Sequence, residues 1–202
     1  MKAGDKQQKR QGKQYGFFSV LLAFFVISFL GWAYETLLML IWHGKWYDRG
    51  FLSLPFCPIY GFPVCGLYLL FGAPHQGRYA RFINRKLRKW PIVCREILRY
   101  IGYFLLSGGL ATAVELIVGL CCERVGISLW SYQSEPFNYR GHICLWVSLF
   151  WGVLLTFLMR FAFLPLLRLL SKVGKRATVV IVVICTVALT IDFIYNLFLY
   201  FS

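Results

Sequence analysis

Charge is what this sequence has least of. Only 15% of its 202 residues are charged, and eight of those are acidic, against roughly a quarter charged in ordinary soluble domains. Set beside 59% hydrophobic and 19% aromatic residues, that deficit excludes a conventional soluble domain and leaves an integral membrane protein. No G-x-x-x-x-G-K-[ST] phosphate loop occurs, so the chain is not itself the ATPase of a primary transporter. Neither H-E-x-x-H nor G-x-S-x-G occurs, and with them go the zinc-protease and serine-hydrolase signatures. The seven cysteines form no C-x-x-C pair and their number is odd. Although Cys57, Cys121, Cys122 and Cys144 fall near helix ends, they read as apolar filler, and no metal or other cofactor is expected. A cleavable leader is not expected either, because the basic start runs into 26 mostly apolar residues without a small-residue cleavage site.

What is present is apolar sequence in long runs. Residues 17–42, 97–122, 143–165 and 177–201 each reach the roughly 20 residues that a hydrocarbon core of about 30 Å requires. A fifth run, 55–73, is shorter and carries Pro55, Pro58, Pro63, Gly61, Gly66 and Gly72. Its outer half is expected to be kinked or partly unwound and packed inside protein, where freed backbone groups find partners. The expected fold is therefore all-α, with five transmembrane helices in a single membrane domain over 17–202 behind a basic tail, 1–16. Of the 22 Lys and Arg, the tail holds five, the segment 74–100 eight, and Arg160, Arg168, Lys172, Lys175 and Arg176 five more; Lys45, Arg49, Arg124 and Arg140 remain. This asymmetry predicts a cytoplasmic N-terminus and an outside C-terminus.

A net charge of +14 raises the question of nucleic acid, with "RYARFINRKLRKW" as the basic patch. The spacing suggests a blander cause. Tyr79, Phe82, Ile83, Leu87 and Trp90 recur at helical intervals while the arginines take other faces, which predicts a cytoplasmic interfacial amphipathic helix over 78–90. Anionic headgroups, worth on the order of 1 kcal/mol per basic residue at the surface, account for the charge; membrane lipids are expected as partners and nucleic acid is not.

Two stretches resemble one another. "DRGFLSLPFCPIYG" (48–61) and "YRGHICLWVSLFWG" (139–152) share Arg-Gly at the front and aromatic-Gly at the back with equal spacing. Each follows an acid, Glu35 in "GWAYE" and Glu115 in "LATAVE". Each half thus reads helix, acid, outer loop, Arg-Gly, helix, which predicts two hairpins in a parallel repeat plus a fifth helix. Ionised carboxylates within a span cost about 2.5–3.5 kcal/mol each and normally face a bundle interior with a partner. Glu35, Glu115 and Asp192, with Arg49 and Arg140 as partners and Tyr60, Tyr132, Asn138 and His142 nearby, are the candidate lining of an outward-facing polar pocket. The plainer alternative is two buried salt bridges, one Arg to each Glu, that only fix helix register. Trp42, Trp46, Trp130, Trp146 and Trp151 read as an interfacial aromatic belt.

At these motifs the sequence resembles the bacterial membrane family of ABC-transporter type IV, or ABC-transporter permease-like, proteins. The likeness runs through most of the chain and rests on "GWAYE", "DRGFLSLPFCPIYG", "ATAVE" and "LWSYQSEPFNYRGHICLWVSLFWG". Ser131 stands where the family is expected to show Asp, and Leu54 where Gly is usual before Pro55. The resemblance implies the bacterial plasma membrane and a permease-type transport component. Its ATPase would be a separate chain, docked on the basic helix and on 166–176, and five spans suit a small subunit that dimerises. Two other functions compete: an accessory or sensory membrane subunit, and a membrane enzyme acting on a lipid or envelope precursor, in which Glu35, Glu115 and His142 would do acid–base work.

Overall fold

The computed structural model describes residues 15–44 and 51–201; Arg49, Trp46 and the tail before residue 15 lie outside the described residues. The chain is mostly helical. In order, the elements are α1 (Phe17–His43), α2 (Pro58–Phe71), α3 (Arg78–Lys86), α4 (Ile92–Arg124), the two-residue strands β1 (Asn138–Tyr139) and β2 (Ile143–Cys144), α5 (Leu145–Phe161), α6 (Phe163–Leu170) and α7 (Lys175–Phe201). Among the described residues, α1, α4 and α7 are each long and apolar enough to cross a membrane, and α5 with α6 makes a fourth span only when the bent pair is taken as one. Much of that apolar surface stays uncovered: on α7, Ile191, Ile194 and Phe198 are more than half exposed. Water would not tolerate faces of this size on a monomer, whereas lipid does. The chain is a membrane protein.

Two elements are shorter than their apolar runs. The run 55–73 yields α2, of 14 residues, about 21 Å at 1.5 Å per residue and so short of the hydrocarbon thickness. Pro58 occupies the first helical position, where a missing N–H costs nothing, and residues 51–57 before it are irregular. The run 143–165 is interrupted at Ala162, where the helix bends by 45°. Pro165, three residues on, has no N–H to close the turn there and its ring crowds the carbonyl of residue 161.

Contacts gather into two compact units, one built from 66–165 and the other from 15–65 with 166–201. In the first, α4 and α5 meet through small residues. A Cβ placed on Gly152 would lie 2.7 Å from the Phe104 ring, and one on Gly108 would lie 3.1 Å from the Ser148 carbonyl oxygen. Ser107, fully buried, puts its hydroxyl within 3.2 Å of the Gly152 carbonyl and of Thr156 Oγ1. Small residues that let backbones touch, joined by hydroxyl hydrogen bonds, are how helices associate where lipid removes the hydrophobic drive. The basic helix α3 is fastened to α4 by Tyr79, whose hydroxyl donates to the Arg99 carbonyl (3.0 Å) and whose ring packs on Tyr103; Tyr103 in turn donates to the Gly72 carbonyl (2.6 Å) in the connection that leads into α3. The expected helix 78–90 thus ends at Lys86, with residues 87–89 in a turn.

In the second unit α1 packs on α7. Leu22 and Phe25 meet Val182, with Phe24, Phe56 and Leu189 around them. The irregular segment 51–57 is tied to both helices. The Leu54 amide donates to Asp192 Oδ2 (3.1 Å), Ser53 and Asn196 exchange a side-chain hydrogen bond, and the Cys57 amide donates to the Ser28 carbonyl (2.9 Å).

If the α4–α5 contact carries the first unit, Gly152→Leu should destabilise the protein by about 1–3 kcal/mol through overpacking. Gly109→Leu, at a helical glycine with no neighbouring atom within 4 Å, should be nearly neutral. Reversible unfolding in detergent would measure both; equal costs at the two sites would refute the packing account.

Candidate functional site

Each unit holds a carboxylate gripped by an aromatic donor, and the two grips are built alike. On α4, Glu115 is 7% exposed. Its Oε1 accepts from the indole Nε1 of Trp151 (2.9 Å) and, more distantly, from the Tyr132 hydroxyl (3.4 Å). Its Oε2 is buried without a hydrogen-bond partner among the described residues. On α1, Glu35 Oε1 accepts from the Tyr60 hydroxyl at 2.5 Å. Tyr60 and Trp151 are the aromatic residues of the two aromatic-Gly pairs, so the ends of the repeated stretches find the acids that precede them.

The likeness extends one turn further. Gly61 follows Tyr60 and leaves no room for a side chain: a Cβ there would lie 2.6 Å from both the Phe24 ring and Ser28 Oγ. Gly152 follows Trp151 and is closed off by Phe104 in the same way. Phe24 and Phe104 each stand 11 residues before their acid. Each hands its carbonyl to a nearby serine hydroxyl, Ser28 (2.8 Å) and Ser107 (3.0 Å) respectively. Four residues before the acid both helices carry a small residue, Gly31 and Ala111; at Gly31 a Cβ would strike the Tyr60 ring. Glycine and alanine bring the helices close, and closeness aims the aromatic donor at the carboxylate.

The other expected site residues have structural partners of their own. Arg140 Nη2 reaches both oxygens of Glu123 (3.3 and 3.1 Å) and His142 Nε2 reaches Glu123 Oε2 (3.2 Å). The arginine therefore answers the acid at the end of α4 and not Glu115; being about half exposed on both sides, this pair contributes little to stability. Arg140 and Gly141 both adopt left-handed backbone (φ 53° and 72°) in the three-residue connection of the β1–β2 ladder, in which Asn138 pairs with Cys144 and Tyr139 with Ile143. Asn138 stabilises that connection: its Oδ1 accepts from the Gly141 amide, and its amide nitrogen donates to the carbonyls of Gln133 and Glu135. The His142 ring lies against Gly119 and borders a cavity of about 30 Å³, room for about one water. Asp192 holds the Leu54 amide and Asn196, and Arg49 lies outside the described residues. Ser131, in place of the expected Asp, still accepts from the Gln133 amide at 3.4 Å.

The family model described as "Putative ABC-transporter type IV" matches residues 22–197. The chain belongs to this ABC-transporter type IV family. No curated protein and no solved structure matches it. The matched range takes in both acid–aromatic pairs and all the motifs on which the resemblance rests.

Within this family member, Trp151 and Glu123 are the residues that reading the sequence missed. Trp151 passes for a membrane-belt tryptophan because nothing in its local sequence shows that its N–H has an acceptor; the aromatic-Gly repeat was the signal, since Tyr60 occupies the matching place. Glu123 ends a helix and looks like an ordinary exposed acid until the β1–β2 turn brings Arg140 and His142 to it.

Removing the indole donor should matter because a buried carboxylate oxygen is then left short of hydrogen bonds. Trp151→Phe is expected to cost about 1–3 kcal/mol, and Glu115→Leu with Trp151→Phe together much less than the sum of the single changes. Tyr60→Phe with Glu35→Leu should behave likewise in the second unit. Additive double mutants would show that these contacts carry no coupling.

Proposed function

We propose that the protein is the membrane-embedded component of an ABC-type transport system, partnered by an ATPase on a separate chain. The observation that carries this reading is family membership over 22–197 in a chain without a nucleotide-binding loop. Hydrolysis must then be supplied from outside the chain, and the basic helix α3, fastened to α4 by Tyr79 and Tyr103, is the surface suited to receive it. A rigidly held helix can transmit a displacement to a span; a loose loop cannot.

In this reading residues 17–202 form one membrane domain with five crossings, the short α2 among them, and the two acid–aromatic hairpins descend from one repeated unit. The N-terminus is cytoplasmic and the C-terminus outside, so the end of α4 that carries Glu115 and Glu123, and the β1–β2 connection that carries Arg140 and His142, face outward. Glu115 is the group in α4 suited to meet a polar or cationic substrate: it is held in place through one oxygen, and the other has no protein donor among the described residues. A second copy of the chain would complete a permease of ordinary size.

Two measurements test this. A cysteine introduced at Lys86 in a cysteine-free variant should react with an impermeant maleimide in inverted vesicles and not in intact cells; the opposite pattern would reverse the orientation. Reconstituted with each ATPase chain of its host in turn, the protein should raise the hydrolysis rate of one of them. Arg81→Gln with Arg85→Gln on α3 should abolish that stimulation without loss of folded protein. If no ATPase responds, the transport-component reading is wrong and a sensory or accessory role replaces it.

A further inference from the structure

A groove of about 430 Å³ runs between α4 and α5. Its walls are Ile101, Phe104, Val153 and Phe157, and Tyr100 and Arg160 stand at one end. Ile101, Val153 and Phe157 are each at least half exposed, so the groove opens along the helices instead of closing into a core. From Val153 to Arg160 it extends about 10 Å at 1.5 Å per residue, within the roughly 15 Å depth of one leaflet of a 30 Å hydrocarbon core. An acyl chain matches both its length and its chemistry.

Its end is polar. Arg160 Nε donates to the Tyr100 hydroxyl (2.9 Å), and the guanidinium lies over the Phe161 ring, 5.1 Å from its centroid. That geometry holds the group in place while the four N–H donors on its two Nη atoms have no protein partner among the described residues. The Arg99 guanidinium lies over the Tyr100 ring, 5.7 Å from its centroid. Its charge is met by Glu96, whereas Arg160 at the groove end has no acidic partner among the described residues. A fixed guanidinium at the end of an apolar, lipid-facing groove calls for an anion carried on an apolar chain. A second copy of this chain, with its own net charge of +14, suits that end poorly.

We propose that the α4–α5 groove is a binding site for one anionic phospholipid, its acyl chain along Phe104, Val153 and Phe157 and its phosphate on the Nη groups of Arg160. Basic positions between membrane helices are where anionic headgroups are held. The proposal is independent of which end of α4 faces the cytoplasm and of whether the protein transports anything. It requires only that α4 and α5 lie in lipid.

The full chain, reconstituted in vesicles of phosphatidylcholine doped with spin-labelled phosphatidylglycerol or spin-labelled phosphatidylcholine, provides the test. The motionally restricted fraction should be larger for phosphatidylglycerol. Arg160→Gln should remove about one restricted phosphatidylglycerol per chain, and Arg160→Lys, which keeps the charge, should restore part of it. Val153→Trp, filling the groove from an exposed position, should remove that same lipid while leaving the circular dichroism spectrum unchanged. Arg124→Gln, an equal charge change in the last turn of α4, should leave it in place. The proposal is overturned if wild type shows no preference for phosphatidylglycerol, or if either Arg160→Gln or Val153→Trp leaves the restricted fraction unaltered. It is overturned in favour of a second copy if Val153→Trp instead splits an oligomer with lipid binding intact.

Discussion

A glycine placed directly after an aromatic residue does two things at once in this protein. It lets one helix lie against another with no side chain between them, and it thereby points the preceding ring at a carboxylate on the neighbour. At Gly152 the approach to Phe104 leaves no space for a Cβ, and Trp151 consequently meets Glu115. The close contact and the polar contact depend on each other. Were the helices a few ångströms further apart, the indole N–H and the carboxylate would both be left unsatisfied in a low-dielectric interior, which is far more costly than losing van der Waals contact.

Magnitudes separate the acids. Glu115 is almost wholly buried and its hydrogen bonds come from neutral donors, with no counterion in contact among the described residues. Glu123 has two cationic partners but sits half exposed, where solvent screens most of the attraction. The pair with the more obvious electrostatics is therefore the less consequential one. In a membrane helix, a carboxylate held by aromatic donors is the unusual feature and the better candidate for function.

The same constraint orders the rest of the first unit. Because Ser107, Gly108 and Gly152 bring α4 and α5 together, with the Phe104 ring lying on Gly152, the exposed Ile101, Val153 and Phe157 stand along the flank and, with Phe104, form the walls of the groove. Tyrosine plays a parallel part on another face of α4: Tyr79 and Tyr103, packed edge to face with ring centroids 5.5 Å apart, convert the basic segment from an adjacent strip of sequence into a docked helix.

Composition and hydropathy were enough to determine that this is a helical membrane protein, and to place α1, α4 and α7 within a few residues, because lipid demands long apolar segments with internally satisfied backbones. The repeated Arg-Gly and aromatic-Gly stretches, and the acids before them, were also legible, since equal spacing needs no coordinates. Which residues answer those acids was not. Opposite charges suggested Arg49 and Arg140 as the partners of Glu35 and Glu115, yet a tight turn with left-handed backbone at Arg140 and Gly141 sends Arg140 to Glu123. Whether Trp151 is a belt residue or a donor depends on which way it faces across a helix contact, and that is set by the glycine beside it meeting Phe104, 48 residues earlier in the chain. A sequence records which groups need partners; only the packing of distant helices decides which partner is within reach.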